Sequence, residues 1–174
     1  MQWACLISVA LVTSVALAAD PGTPPAQGAD SDFQRLADFY RGLWSCTGHF
    51  ASGRPISSDE SFEAWADGRW LHETHDDHPP FSYHAHSVWG VDSAAHILTL
   101  TIHDNFGGVR LFTSSTWNGP AITFDAQPIL GHPTGTERFV FTRVSPQAFS
   151  FEYQVPSAAG GWKLGDHVDC ARAH

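Results

Sequence analysis

Five histidines crowd the stretch from residue 72 to 86: His72, His75, His78, His84 and His86. Imidazole is the commonest protein metal ligand and the side chain that titrates nearest neutral pH. In an extended strand His84 and His86 point to one side, as shared metal ligation requires, and His167 is a further candidate near the C-terminus. The spacing makes no metal motif. There is no His-Glu-x-x-His, no Glu follows at a cupin-like distance, and Pro79-Pro80 breaks the segment. The histidines therefore read as surface residues. No metal is assigned, and His84, His86 and His167 stand as the candidates should one bind.

Nucleophilic and acid/base chemistry have less support. The chain holds no G-x-S-x-G and no Gly-rich phosphate loop. Asp59-Glu60 and Asp76-Asp77 are paired acids beside turn residues, where charge is usually solvated. A lumen His beside an Asp can run general acid/base chemistry, but such a constellation is spatial, and the sequence names no catalytic residue. Binding is favoured over catalysis, which stays open.

The cysteines point to compartment and closure. Residues 1–19, MQWACLISVALVTSVALAA, are uncharged and apolar, with Ala16, Ala18 and Ala19 at A-x-A spacing, and read as a cleaved signal peptide of a periplasmic or secreted protein. The apolar run is short for a membrane span. Cys5 leaves with the signal, and Cys46 and Cys170 remain in an oxidising compartment, where a disulfide is expected over two buried free thiols. Because Cys46 lies in the first strand pattern and Cys170 in the last, the bridge would staple the two ends of the sheet.

Residues 20–32, DPGTPPAQGADSD, form an expected disordered tether. After it Phe33, Leu36 and Tyr40 fall at helical spacing behind a Ser31 or Asp32 cap. From Leu43 onward about ten alternating runs are separated by turn signals such as Asp67-Gly68, Asn105-Phe106-Gly107-Gly108, Asn118-Gly119-Pro120 and Gly131-His132-Pro133. The expected fold is all-β: one domain over 33–174, a single antiparallel up-and-down barrel of about ten strands with one short N-terminal helix. A net charge of −9 without a basic cluster argues against nucleic acid and anionic membranes as partners.

The opening Gly42-Leu43-Trp44 behind a short helix resembles the G-x-W start of calycin barrels, the lipocalins and their relatives. That resemblance implies a Trp44 closing the base of the barrel against an Arg near the last strand, here Arg172. Gly42, Trp44, Gly48 and Pro55 are similar to the G-x-W-x-G-x-G opening of nitrobindin-like barrels, with Cys46 where the pattern has glycine. Those barrels ligate haem through a C-terminal histidine. His167 lies in a comparable stretch, but no motif around it carries the role over, so haem is an alternative and not an assigned cofactor. GLWSCTGHF, AWADGRWL, NFGG and GWKLGDHVDC also resemble a family of small exported bacterial proteins of unknown function.

Twenty-two aromatic residues, 7 Trp, 3 Tyr and 12 Phe, exceed what a barrel plug needs. Strand alternation groups Trp70 with His72, Tyr83 with Trp89, Phe139 with Phe141, and Phe151 with Tyr153 as lumen candidates. The expected function is binding of a small, largely apolar or aromatic ligand in the lumen. The alternatives are a haem- or metal-binding barrel and a packed envelope-stress protein. Oligomeric state and ligand identity are not legible.

Overall fold

The computed structural model describes residues 27–115, 117, 119–129 and 136–173. The expected signal peptide, the tether up to residue 26 and the Gly131-His132-Pro133 turn lie outside the described residues. A helix, α1 (Gln27–Tyr40), precedes ten strands: β1 (Gly42–Phe50), β2 (Pro55–Trp65), β3 (Trp70–Asp77), β4 (His84–Asp92), β5 (Ile97–Asp104), β6 (Val109–Ser114), β7 (Ala121–Gln127), β8 (Arg138–Ser145), β9 (Ala148–Pro156) and β10 (Trp162–Arg172). Helix α1 begins upstream of the expected cap, so residues 27–32, read from sequence as tether, are helical.

Each strand pairs antiparallel with its sequence neighbour, and β10 returns to β1, closing the barrel. Closure leaves no open edge for pairing with another chain. The seam aligns Cys46 directly with Cys170, and the two form the expected disulfide. Their Cα atoms are 4.1 Å apart, slightly closer than the roughly 4.4–6.8 Å usual for disulfides. The register explains this. Ala173 N–H donates to Leu43 O, and alternation from that pair makes Cys46–Cys170 a non-hydrogen-bonded pair, the type in which opposed residues approach most closely. Gly48 serves the same seam: a Cβ there would lie 2.0 Å from His167 O.

One end of the barrel is filled. Tyr40, at the end of α1, is fully buried and packs its ring against Phe62, Trp89 and Phe149 at centroid distances of 5.4, 5.3 and 5.1 Å. Trp44, Phe124 and Leu71 complete this plug. Phe33, Leu36, Ala37 and Tyr40 are the buried stripe of α1, so the amphipathic spacing becomes the seal of the barrel base. The last carbonyls of α1, which have no partner within a helix, are taken by barrel side chains. Trp44 Nε1–H donates to Tyr40 O at 2.6 Å, and the Arg172 guanidinium donates to Phe39 O and Arg41 O, both at 2.7 Å. Arg172 also stacks on the Trp44 ring at 4.1 Å. The Trp–Arg closure expected at the base is present.

Candidate functional site

Above the plug the barrel is hollow. A cavity of about 410 Å³ is lined mainly by aromatic and aliphatic side chains from nine of the ten strands, all but β7, and the loops above them. Along the strands Glu73, Ser87, Leu100 and Phe141 lie deepest, and Phe50, Ile56, Phe81 and Phe106 lie toward the open end. Arg54 sits over the Phe50 and Phe81 rings at 4.5 and 4.6 Å. Asn105 ties the rim loops together, donating from Nδ2 to Ser82 O at 2.6 Å while its Oδ1 accepts from His84 N–H at 3.1 Å.

Of the lumen residues expected from sequence, Tyr83, Phe139, Phe141, Phe151 and Tyr153 line the cavity. Trp89 also points inward but belongs to the plug, fully buried beneath the cavity floor. Trp70 and His72 do not face the lumen. In β3 the buried positions are Leu71 and Glu73, so the inward face carries Leu71, Glu73, His75 and Asp77. Trp70 lies outside over Gly90, where a Cβ would come within 2.0 Å of its ring. His72 stacks on His86 outside the barrel, with their rings 7° from parallel and Nε2 to Nδ1 3.1 Å apart.

The metal candidates are likewise on the outer surface. His84 Nδ1 is 2.7 Å from Asp76 Oδ1, and His167 lies between Glu152 at 3.4 Å and Asp169 at 3.3 Å. Among the described residues no group of three or more His, Cys, Asp or Glu side chains is arranged to hold a metal ion. A haem in the lumen has no ligand in His167, which faces away from it.

The inward face of β3 supplies the polar wall that sequence reading assigned to solvent. His75 lies opposite Glu60 of β2 in the register. Its Nδ1–H donates to Glu60 Oε1 at 2.6 Å and its Nε2–H to Asp77 Oδ1 at 2.8 Å. Burial by itself lowers the pKa of His75, but the Glu60 charge, the hydrogen bonds to Asp77 and Glu60 and the Asp77 charge raise it to about 10. His75 is therefore an imidazolium at neutral pH. With both ring N–H groups committed, it is neither a free base nor a metal ligand.

Beside it, burial and then the Glu60 charge push Glu73 up to about 8, against the opposing hydrogen bonds from Trp89 and Ser87 and the charge of His75. Glu73 is a neutral carboxyl that accepts Trp89 Nε1–H at 2.7 Å. Burial likewise raises Glu60, opposed mainly by the His75 charge.

Across β1 and β2 from β3, a bulge in β10 positions Asp166. Pairing of β10 with β9 shifts between Leu164 and Asp166, leaving Gly165 as the extra residue. Asp166 then shares the inward face with Val168 and Cys170. Gly165 has no Cβ to strike the Tyr153 ring, which would be 2.6 Å away. Burial pushes Asp166 up to about 6, against the opposing hydrogen bond from Tyr153. Arg110 donates to Tyr83 Oη at 2.6 Å and approaches Asp104 at 3.6 Å, while Tyr153 Oη donates to Glu137 at 2.5 Å.

No protein-family model matches the chain, and no curated protein matches it. Among solved structures, Rv2717c from M. tuberculosis is similar with a TM-score of 0.55 and 12% identity, over 82% of this chain and 98% of that one. A redesigned beta barrel, b11L5F_LGL, matches with a TM-score of 0.46 and 11% identity over 80% of this chain and 96% of that one. EF1p2_mFAP2b bound to DFHBI matches with a TM-score of 0.42 and 14% identity over 81% of this chain and 99% of that one. At these identities the likeness concerns the fold, and for Rv2717c that fold is a barrel covered almost end to end.

Proposed function

We propose that this protein is an exported, calycin-like barrel that binds a small, largely apolar or aromatic molecule in its lumen. The observation that carries this reading is the cavity of about 410 Å³, within the size range of small-molecule sites, whose usual lining is also apolar with a few placed polar groups. It speaks against a barrel packed solid for a purely structural role. Export is supported by the sequence of residues 1–19 and by the disulfide, which suits an oxidising compartment. No helix among the described residues is long and apolar enough to cross a membrane. The calycin-like assignment is supported by the closed barrel and the Trp44–Arg172 contact at its base.

The test is binding of a panel of lipids and aromatic compounds, followed by Trp fluorescence and by native mass spectrometry of protein from its own organism. Micromolar binding, abolished by Ala85→Trp, is the expected outcome, because Ala85 lines the cavity and is itself buried. Absence of binding across the panel, with no retained molecule in the native protein, overturns the reading.

A further inference from the structure

We propose that the lumen selects a lipophilic base in its protonated form, its cationic nitrogen on the wall carrying Asp77 and Asp166 and its apolar body against Phe141 and Phe151. This rests on the reading of the cavity as a ligand site and names the chemical class of the ligand.

The argument is one of unmatched charge. Two cations line the cavity, His75 and Arg110. His75 is shared between two carboxylates, Glu60 at 2.6 Å and Asp77 at 2.8 Å, and Arg110 faces Asp104 at 3.6 Å. Asp166, also in the lining, has no ion-pair partner among the described residues, and the hydrogen bond it receives is a long one, 3.4 Å from Tyr153 N–H. Burial raises the pKa of Asp166, and the hydrogen bond from Tyr153 and the charge of His75 offset this only in part. Both lining cations are thus already committed, His75 to Glu60 and Asp77 and Arg110 to Asp104, which leaves Asp166 without one, and the buried Glu73 stays largely uncharged at pH 7.5.

Arg54 at the rim is solvent-exposed and screened, so it does not neutralise the interior. Its seat between Phe50 and Phe81 illustrates how aromatic walls of this kind accommodate a cation. A ligand carboxylate would add a like charge in a desolvated space. A ligand ammonium supplies the missing partner while its hydrocarbon part fills the aromatic cavity.

The experiment compares three probes of nearly equal shape on the exported form of the chain at pH 7.5: 1-naphthylmethylamine, 1-naphthalenemethanol and 1-naphthoic acid. Dissociation constants come from equilibrium dialysis. The expected ranking is amine at least 10-fold tighter than alcohol, with the acid weakest, and Asp166→Asn shrinking the amine-to-alcohol ratio toward unity. If the alcohol or the acid binds as tightly as the amine, the charge inference is overturned while the cavity reading stands. If none of the three binds, the charge inference is overturned, and the cavity reading falls with it only if the panel of lipids and aromatic compounds also gives no binding. The ranking on the unsubstituted protein decides the matter even where Asp166→Asn fails to fold.

Discussion

His75 is the close partner of Glu60, which is almost completely inaccessible to solvent, and their removal should be strongly non-additive. Taking away one partner of a buried ion pair strands the other, at a cost of about 3–5 kcal/mol, so His75→Ala should lower the urea-determined stability by that order at pH 7. Adding Glu60→Gln should recover much of the loss, and a double-mutant cycle measures the coupling. Independent, additive losses would mean that the His75–Glu60 contact at 2.6 Å carries little energy. Glu73 makes the complementary prediction. Its native pKa, about 8, lies above the ordinary 4.5, so the folded state holds this proton more tightly than the unfolded chain. Between those two values every rise in pH removes native stability. Glu73→Gln keeps an acceptor for Trp89 and should gain stability over the parent as pH rises from 4.5 to 8, with no such gain below 4.5. Parallel stability–pH curves for the two proteins would contradict a neutral native Glu73.

At the scale of elements, helix α1 depends on the barrel it closes. Its C-terminal carbonyls are bonded by Trp44 and Arg172, where a cation also favours the negative end of the helix dipole. Arg172→Ala should therefore cost about 1–2 kcal/mol, below the ceiling for two charge-assisted bonds because the side chain is only partly buried. Arg172→Lys should lose most of that energy too, since one ammonium cannot reproduce the fork that reaches both Phe39 O and Arg41 O. Hydrogen exchange reads this directly: amides of α1 should open first in both variants, with the strands still protected. Uniform loss of protection in helix and strands would show that the base and the barrel unfold as one unit.

For the whole molecule the disulfide is a constraint on the unfolded chain more than a builder of the fold. It closes a separation of 124 residues, for which chain-entropy arguments give about 4–5 kcal/mol and measured native bridges about 2–5. Reduction, or Cys46→Ala with Cys170→Ala, should lower the denaturation midpoint accordingly and leave the far-ultraviolet and near-ultraviolet spectra of the folded form unchanged. The β1–β10 seam, aligned from Trp44–Arg172 to Phe50–Asp166, holds the closure by its own backbone pairing. Loss of the native spectrum on reduction at low denaturant would show that the seam needs the covalent link.

The alternation of the strand runs, the turn dipeptides between them, the helical spacing of Phe33, Leu36 and Tyr40 and the pairing of Cys46 with Cys170 are legible in the sequence because each is a local pattern or a count. They determine an all-β closed barrel with one helix at its base. What they leave open is parity. In β3 the two faces, Trp70-His72-Thr74-Asp76 and Leu71-Glu73-His75-Asp77, are similarly mixed in polarity, and the bulky Trp70 draws the reading to the wrong one. Only the register of Leu71 with Trp89 and of Glu60 with His75 turns the charged set inward. The long loop between β3 and β4, with Pro79 and Pro80, hides that register because it lacks the length rule of a tight hairpin. The acids at 59–60 and 76–77 look solvated for the same reason: a one-residue change of face separates a surface carboxylate from a buried one. The tertiary structure alone decides which face looks into the lumen, how far the aromatic plug rises, and therefore that a charged wall meets a hollow in the upper half of the barrel.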